Sequence, residues 1–209
     1  MSGLAPSTIL AFAMTCTIIE LIPGPNMGYL ATLSVTRGAR VGIAAVAGVA
    51  LGLAVNGLVV GLGLAALIEQ SHPLYEALRR AGVGYMLWLA WETWSSRESS
   101  PEESHDLDGL GGVAFRRGLI TNLLNPKAGI FYVAILPTFV TGQTDLAKQT
   151  VVLSVVFVAI ASTIHLLVVL LASRLHSVLT APARRDATRK TFSVLLVAIA
   201  IWFAISTAR

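Results

Sequence analysis

The chain has 209 residues, of which 55% are hydrophobic and 12% charged, and its mean hydropathy is +0.75. Soluble domains carry about 25% charged residues, so this chain has too little polar surface for water and its solvent is expected to be lipid. The net charge of +4 and pI near 9.6 then read as Lys and Arg in cytoplasmic loops rather than as a nucleic-acid footprint, and the single cysteine, Cys16, excludes an internal disulfide.

A spanning helix needs about 20 mostly apolar residues, and six such runs follow in chain order. The first, residues 4–36, is uncharged except for Glu20. At 1.5 Å per residue it is roughly 50 Å long, too long for a hydrocarbon core of about 30 Å unless it breaks. Pro23-Gly24-Pro25 supplies the break. No Lys or Arg precedes this run, so it is expected to be a retained helix rather than a secretory leader. The second run, 41–68, has glycines at 48 and 52, then 57 and 61, a spacing that lets two helices approach closely. The third, 73–94, holds Glu76, Arg79, Arg80 and Glu92 near its ends, with Trp88, Trp91 and Trp94 as an interfacial belt.

Residues 95–117 turn to Ser, Glu, Asp, Gly and Pro and are expected to form a solvated loop. The fourth run, 118–140, is interrupted by Asn125-Pro126-Lys127; the fifth, 147–172, carries His165; the sixth, 191–206, follows a basic linker. Pro25 and Pro126 are 101 residues apart, close to half the chain. Matched interruptions in two halves point to an all-α membrane protein built as a 3+3 inverted repeat, because a three-span unit inserts its second copy upside down. Repeat 1 covers about 1–95, a cytoplasmic loop 96–117, and repeat 2 about 118–209. Arg37, Arg40, Arg97, Arg116, Arg117, Arg174, Arg184, Arg185, Arg189 and Lys190 fall in odd-numbered loops, against Arg79, Arg80 and Lys148 in even ones. The odd loops are therefore expected in the cytoplasm and both termini outside.

In hydrocarbon an unpaired backbone group costs several kcal/mol. Pro23, Pro25 and Pro126 remove donors, so these breaks require protein or a water-filled cavity around them. Counting helix rise from Arg37 back to Asn26, and from Pro137 back to Pro126, places both breaks roughly 16 Å from opposite faces. Broken helices meeting at the midplane leave helix ends whose partial charges hold an ionised solute; kinks in packed helices are the plainer alternative. Lys127 must face the protein interior, where it pairs with Glu20 or holds a substrate carboxylate. Glu20 is the preferred proton carrier and His165 the reserve, with a hydrogen-bonded packing role as the alternative for His165. Asn26, Asn56, Asn122 and Asn125 add neutral donors and acceptors, or else simply bond helix to helix. There is no GxxxxGK[ST] loop, no HExxH pair, no carboxylate cluster and no triad spacing, so no ATP drive, proteolysis, metal or cofactor is expected.

Residues 20–29, Glu-Leu-Ile-Pro-Gly-Pro-Asn-Met-Gly-Tyr, followed by Arg37-Gly38 and then Gly42, Gly48 and Gly52, resemble the LysE/RhtB family of amino-acid exporters. The stretch from Ala81 to Tyr85 is similar to the family's third-helix motif. Phe115 and Gly118, the run from Thr121 to Lys127, and Leu136-Pro137-Thr138-Phe139-Val140 resemble its fourth. The resemblance implies proton-coupled efflux of amino acids or derivatives across a bacterial inner membrane by a multi-pass protein that is not an enzyme, with a homo-oligomer compatible with it. It also brings Gly24 and the motif tyrosines Tyr29 and Tyr85 into the pathway set. Asn56 stands where many relatives have a membrane-embedded His, and Glu20 where many have an apolar residue. A related cation transporter, a membrane assembly subunit or a membrane-embedded enzyme are the alternatives. Alternating access is expected from one repeat rocking against the other.

Overall fold

The computed structural model describes residues 4–61, 72–95, 107–140, 145–179, 181 and 185–206, and all regular structure among them is helical. Helix α1, Pro6–Leu21, is separated from α2, Pro25–Arg37, by a 59° bend. Helix α3, Ala39–Gly61, follows after Gly38, whose φ of +83° lies in the left-handed region that favours glycine. Then come α4, His72–Ser95, and α5, Leu107–Leu123. Across a second bend, of 54°, α6 (Pro126–Ile130) continues as a π-helical turn, Phe131–Ile135, and a 3-10 turn, Leu136–Phe139. The chain ends with α7, Leu146–Ser173, the short α8, His176–Leu179, and α9, Arg185–Ser206.

Two single helices are long and apolar enough to cross a membrane, α3 (Ala39–Val60, mean hydropathy 2.3) and α7 (2.7), and each bent pair passes the same test jointly. Two to four spans therefore stand on length and composition among the described residues. Helices α4 and α9, expected as the third and sixth spans, are 24 and 22 residues long but carry Glu76, Arg79, Arg80 and Glu92, and Arg185, Asp186, Arg189 and Lys190, respectively. The lipid-facing character is visible in side chains such as Ile205, 73% exposed, and in Leu10, Ile18, Val155 and Leu171, all bare on helix surfaces. Trp88, Trp91 and Trp94, expected as an interfacial belt, are exposed as well.

Two boundaries differ from expectation. The segment read as a loop to residue 117 is helical from Leu107, so Arg116 and Arg117 lie on α5. Composition hid this because the packing face of that helix is small rather than apolar. Leu110 and Ala114 pack on the core, and a Cβ added at Gly118 would collide with the Ala45 carbonyl. Likewise α9 begins at Arg185 rather than at 191, because Asp186 pairs with Arg189 and with Lys190 (2.6 Å) one turn along. Residues 62–68 of the second run and 96–106 of the loop lie outside the described residues.

Lipid tails are as apolar as leucine, so helices join in a membrane by close packing rather than by escape from water. Helix α3 is the centre of that packing, running along α5, α7 and α2. Gly48 meets the Phe115 carbonyl and Gly52 meets the Asn122 side chain, which confirms the close approach expected of those two glycines. Helix α7 packs on α1 and α2. Phe12, Phe131, Tyr132, Phe139 and Phe157 form an aromatic block between α1, the turns after α6 and α7, with Phe131 stacked on Phe157 at 3.8 Å. Helices α4 and α9 form a pair with its own small core of Met86, Ala90, Leu196 and Ala200. The Ser193 hydroxyl locks that pair by donating to the Ala90 carbonyl at 2.6 Å.

Candidate functional site

The first break follows from proline chemistry. Pro23 has no N–H and its ring excludes the carbonyl four residues back, and the residue before a proline is pushed to extended backbone. Ile22 accordingly has φ −69° and ψ 120°, and its N–H closes the helix on the Ile19 carbonyl at 3.1 Å. Gly24 is fully extended, and Pro25 occupies the first turn of α2, where its missing donor costs nothing. No side chain caps α2. The Ile22 carbonyl accepts instead from the far side of the fold, from Lys127 Nζ at 2.8 Å.

The second break caps itself. Asn125, at φ −89° and ψ 102°, turns its Oδ1 onto the Lys127 N–H at 3.1 Å, and Pro126 again opens the helix. The Asn125 N–H bonds the Asn122 carbonyl at 3.0 Å. This cap points Lys127 across to the first break, where its side chain lies 3.3 Å from a Cβ placed on Gly24.

Between the breaks, Asn26 Nδ2 donates to Asn122 Oδ1 at 2.9 Å, both residues buried. Asn26 Oδ1 and Asn122 Nδ2 have no protein partner. Turning both amides over exchanges the roles and leaves the same count, one acceptor and one donor unused. Beside them, Glu20 Oε2 is 3.5 Å from His165 Nε2, at 8% and 2% exposure, and His165 Nδ1 is unpartnered. Buried polar atoms without partners cost about 1–3 kcal/mol each, so several in one place mark a site kept for something else.

These groups enclose a cavity lined by Glu20, Ile22, Gly24, Asn26, Met27, Leu53, Asn125, Lys127, Ala128 and His165. Its space for water-sized molecules is about 10 Å³, about one water. An amino acid needs more room, so the walls must part to admit one.

The structure thus brings together Glu20, Gly24, Asn26, Asn125, Lys127 and His165, framed by Pro23, Pro25 and Pro126, with Asn122 joined through Asn26. Glu20 and His165, expected as first choice and reserve, are neighbours. Lys127 and Glu20 stay within electrostatic range of one another, but the ammonium bonds the Ile22 carbonyl left open where α1 ends. Asn56 is half-buried on α3 away from the cavity lining, and Tyr29 and Tyr85 also lie outside it. Tyr85 stacks on Trp88. Sequence reasoning missed Met27, Leu53, Ala128 and the Ile22 carbonyl, none of which has side-chain chemistry to announce it. No group of three metal-ligating side chains is present among the described residues.

The chain has relatives among known proteins. The sequence profile of the family described as LysE type translocator matches residues 17–207. The chain is 29% identical over 191 residues to a homoserine/homoserine lactone efflux protein of Salmonella typhimurium, covering 90% of this chain and 92% of that one. It is 27% identical over 201 residues to an uncharacterized membrane protein of Vibrio cholerae, covering 95% and 97%. Over 125 residues, 58% of this chain and 56% of the relative, it is 35% identical to the uncharacterized membrane protein YahN of Escherichia coli. No solved structure matches.

Proposed function

This chain belongs to the LysE type translocators, and on that premise we propose that it exports amino acids or their derivatives across a bacterial inner membrane in exchange for protons. It is a membrane translocator and not an enzyme. The observation that carries the substrate class is the pair of proline breaks meeting around unused polar groups. An α-amino acid offers a carboxylate and an ammonium at fixed spacing. The α2 N-terminus, uncapped by any side chain and with Lys127 beside it, suits the carboxylate. Asn26 Oδ1 and the Glu20 carboxylate suit the ammonium. The efflux activity printed in the names of the Salmonella relatives supports the same class.

The six-span, inverted 3+3 arrangement is part of this reading. Three contacts support it. Helix α3 packs on the broken α5, α7 on the broken α1 and α2, and α4 on α9, which is how two copies related by a twofold axis exchange partners. That crosswise packing also relocates the motion. Rocking one whole repeat would tear α3 from α5, where the Gly48 and Gly118 contacts leave no slack. The smaller boundary runs between the α4–α9 pair and the rest, with Gly82 against the Leu124 carbonyl and Gly28 against Ile199 as its close contacts. In this topology, a cysteine replacing Ser100 in a Cys16→Ala background reacts only with reagents on the cytoplasmic side. Labelling from outside in intact cells would overturn it.

Glu20 and His165 form the proton site of the proposal, because a proton received by either stays within the pair while the cavity is closed. Counterflow in proteoliposomes against a panel of amino acids tests the export reading. Glu20→Gln keeps size and hydrogen bonding but cannot titrate. It is expected to retain substrate exchange and to lose uphill efflux driven by a pH gradient. Normal pH-driven uphill efflux in that variant would remove Glu20 from the coupling.

A further inference from the structure

A charged contact among the described residues crosses the boundary of the α4–α9 pair outside the central cavity. Arg117 Nη2 of α5 donates to Glu92 Oε1 of α4 at 2.7 Å, with the two side chains 29% and 36% exposed. The guanidinium lies 5.2 Å from the Trp88 ring centroid, and Tyr85 stacks on that same ring at 5.5 Å. Behind them stands Tyr29 of α2, 4% exposed, whose electrostatic neighbours are Tyr85, Arg117 and Glu92. The Tyr29 hydroxyl has no hydrogen-bond partner. A buried hydroxyl is normally satisfied, and this one lies in electrostatic range of the charge pair with its hydrogen-bonding capacity unused.

The chemistry of the pair defines what fits. Arg117 offers a planar fork of donors matched to a carboxylate, and Glu92 is an acceptor matched to an ammonium. A partly exposed ion pair contributes little as a tie, so exchanging it for two equivalent contacts is nearly neutral in energy. We propose that Arg117 and Glu92 form a second substrate subsite, specific for zwitterionic α-amino acids, in which the substrate carboxylate takes Arg117 and its ammonium takes Glu92. The Tyr29 hydroxyl donates to the bound carboxylate. The subsite rests on the export reading and adds a substrate preference to it.

Its place in the fold suits a first stop. Arg117 lies five residues before Asn122 on α5, roughly 7.5 Å along the helix. It sits toward the connection of α4 to α5, the side that the basic residues assign to the cytoplasm. A substrate whose carboxylate is esterified or closed into a lactone brings only a cation and leaves Arg117 without an anion. The subsite therefore discriminates against it.

The test is competition from the cytoplasmic face of inside-out vesicles. Transport of a zwitterionic amino acid that the wild-type protein exchanges is inhibited by the same unlabelled amino acid or by its methyl ester. The wild type is expected to favour the zwitterion about tenfold or more, the range of one charge-assisted contact. In Arg117→Gln the preference falls to about one, and in Arg117→Lys it is intermediate. Glu92→Gln weakens both competitors, since both carry the ammonium. If Arg117→Gln does not accumulate, the Arg117→Lys comparison decides alone, because it keeps the charge and the tie while losing the fork. An unchanged preference in the Arg117 variants, or no preference in the wild type, would overturn the subsite. Failure of the wild type to exchange any amino acid would instead overturn the export reading beneath it.

Discussion

The two breaks share a proline at the first helical position but solve the same problem in opposite ways. The break at Asn125 is self-sufficient: its own side chain caps α6. The break at residues 22–24 has no side chain of its own to spare, and its freed carbonyl is satisfied by Lys127. The second break therefore holds the first together, while the N-terminus of α2 remains open toward the cavity. A site that must bind and release an anion needs one uncapped helix end, and a cap on both would fill the place the substrate takes. On the proposed export reading, the asymmetry gives anion binding to the first break and positioning of the cation to the second.

The largest effect is expected from healing a break. Pro126→Ala restores one donor and permits α5 to run into α6, while Pro23→Ala with Pro25→Ala does the same for α1 and α2. Both are expected to insert at normal abundance and to reduce counterflow to background, because continuous helices bond to themselves and close the cavity. Wild-type counterflow in both at equal abundance would show that the prolines are only packing kinks.

Lys127→Met comes next and tests the dependence of one break on the other. It leaves the Ile22 carbonyl without its donor, a loss of about 1–3 kcal/mol, and removes the cation beside the α2 N-terminus. The expected result is a roughly 10- to 100-fold fall in counterflow with reduced thermal stability in detergent. A variant with full counterflow and unchanged melting would break the link between the two breaks.

The smallest effects sharpen the comparison. Asn125→Ala removes a helix cap worth about 1 kcal/mol and is expected to lower counterflow about fivefold through misplaced Lys127. Gly24→Ala adds a Cβ 3.3 Å from Lys127 Cδ, the middle of a flexible chain, and is expected to cost twofold or less. If Gly24→Ala proves worse than Asn125→Ala, the first break needs bare backbone more than the second needs its cap.

Much of this was legible in the residues because its causes are local. A chain with 12% charged residues must use lipid as solvent, and a proline between apolar runs must interrupt a helix wherever the rest of the chain lies. The family resemblance carried by residues 20–29 and 121–127 belongs to the same class, since both motifs are contiguous. Helix boundaries were less legible. Leu107 starts α5 inside a polar stretch because Ala114 and Gly118 are small enough to press against α3, and size matters there only once a partner helix is present.

The site itself was decided by tertiary structure. Lys127 and Ile22 are 105 residues apart, and their contact joins a side chain to a backbone atom, which no residue pattern encodes. Glu20 and His165 are titratable wherever they stand, but only the packing of α7 on α1 makes them neighbours. Sequence alone determined the solvent, the two breaks and the inventory of polar groups held at depth. Which of those groups face one cavity depended on the crossing of helices distant in the chain. Helix crossings are set by the shape of whole packed faces rather than by any one segment.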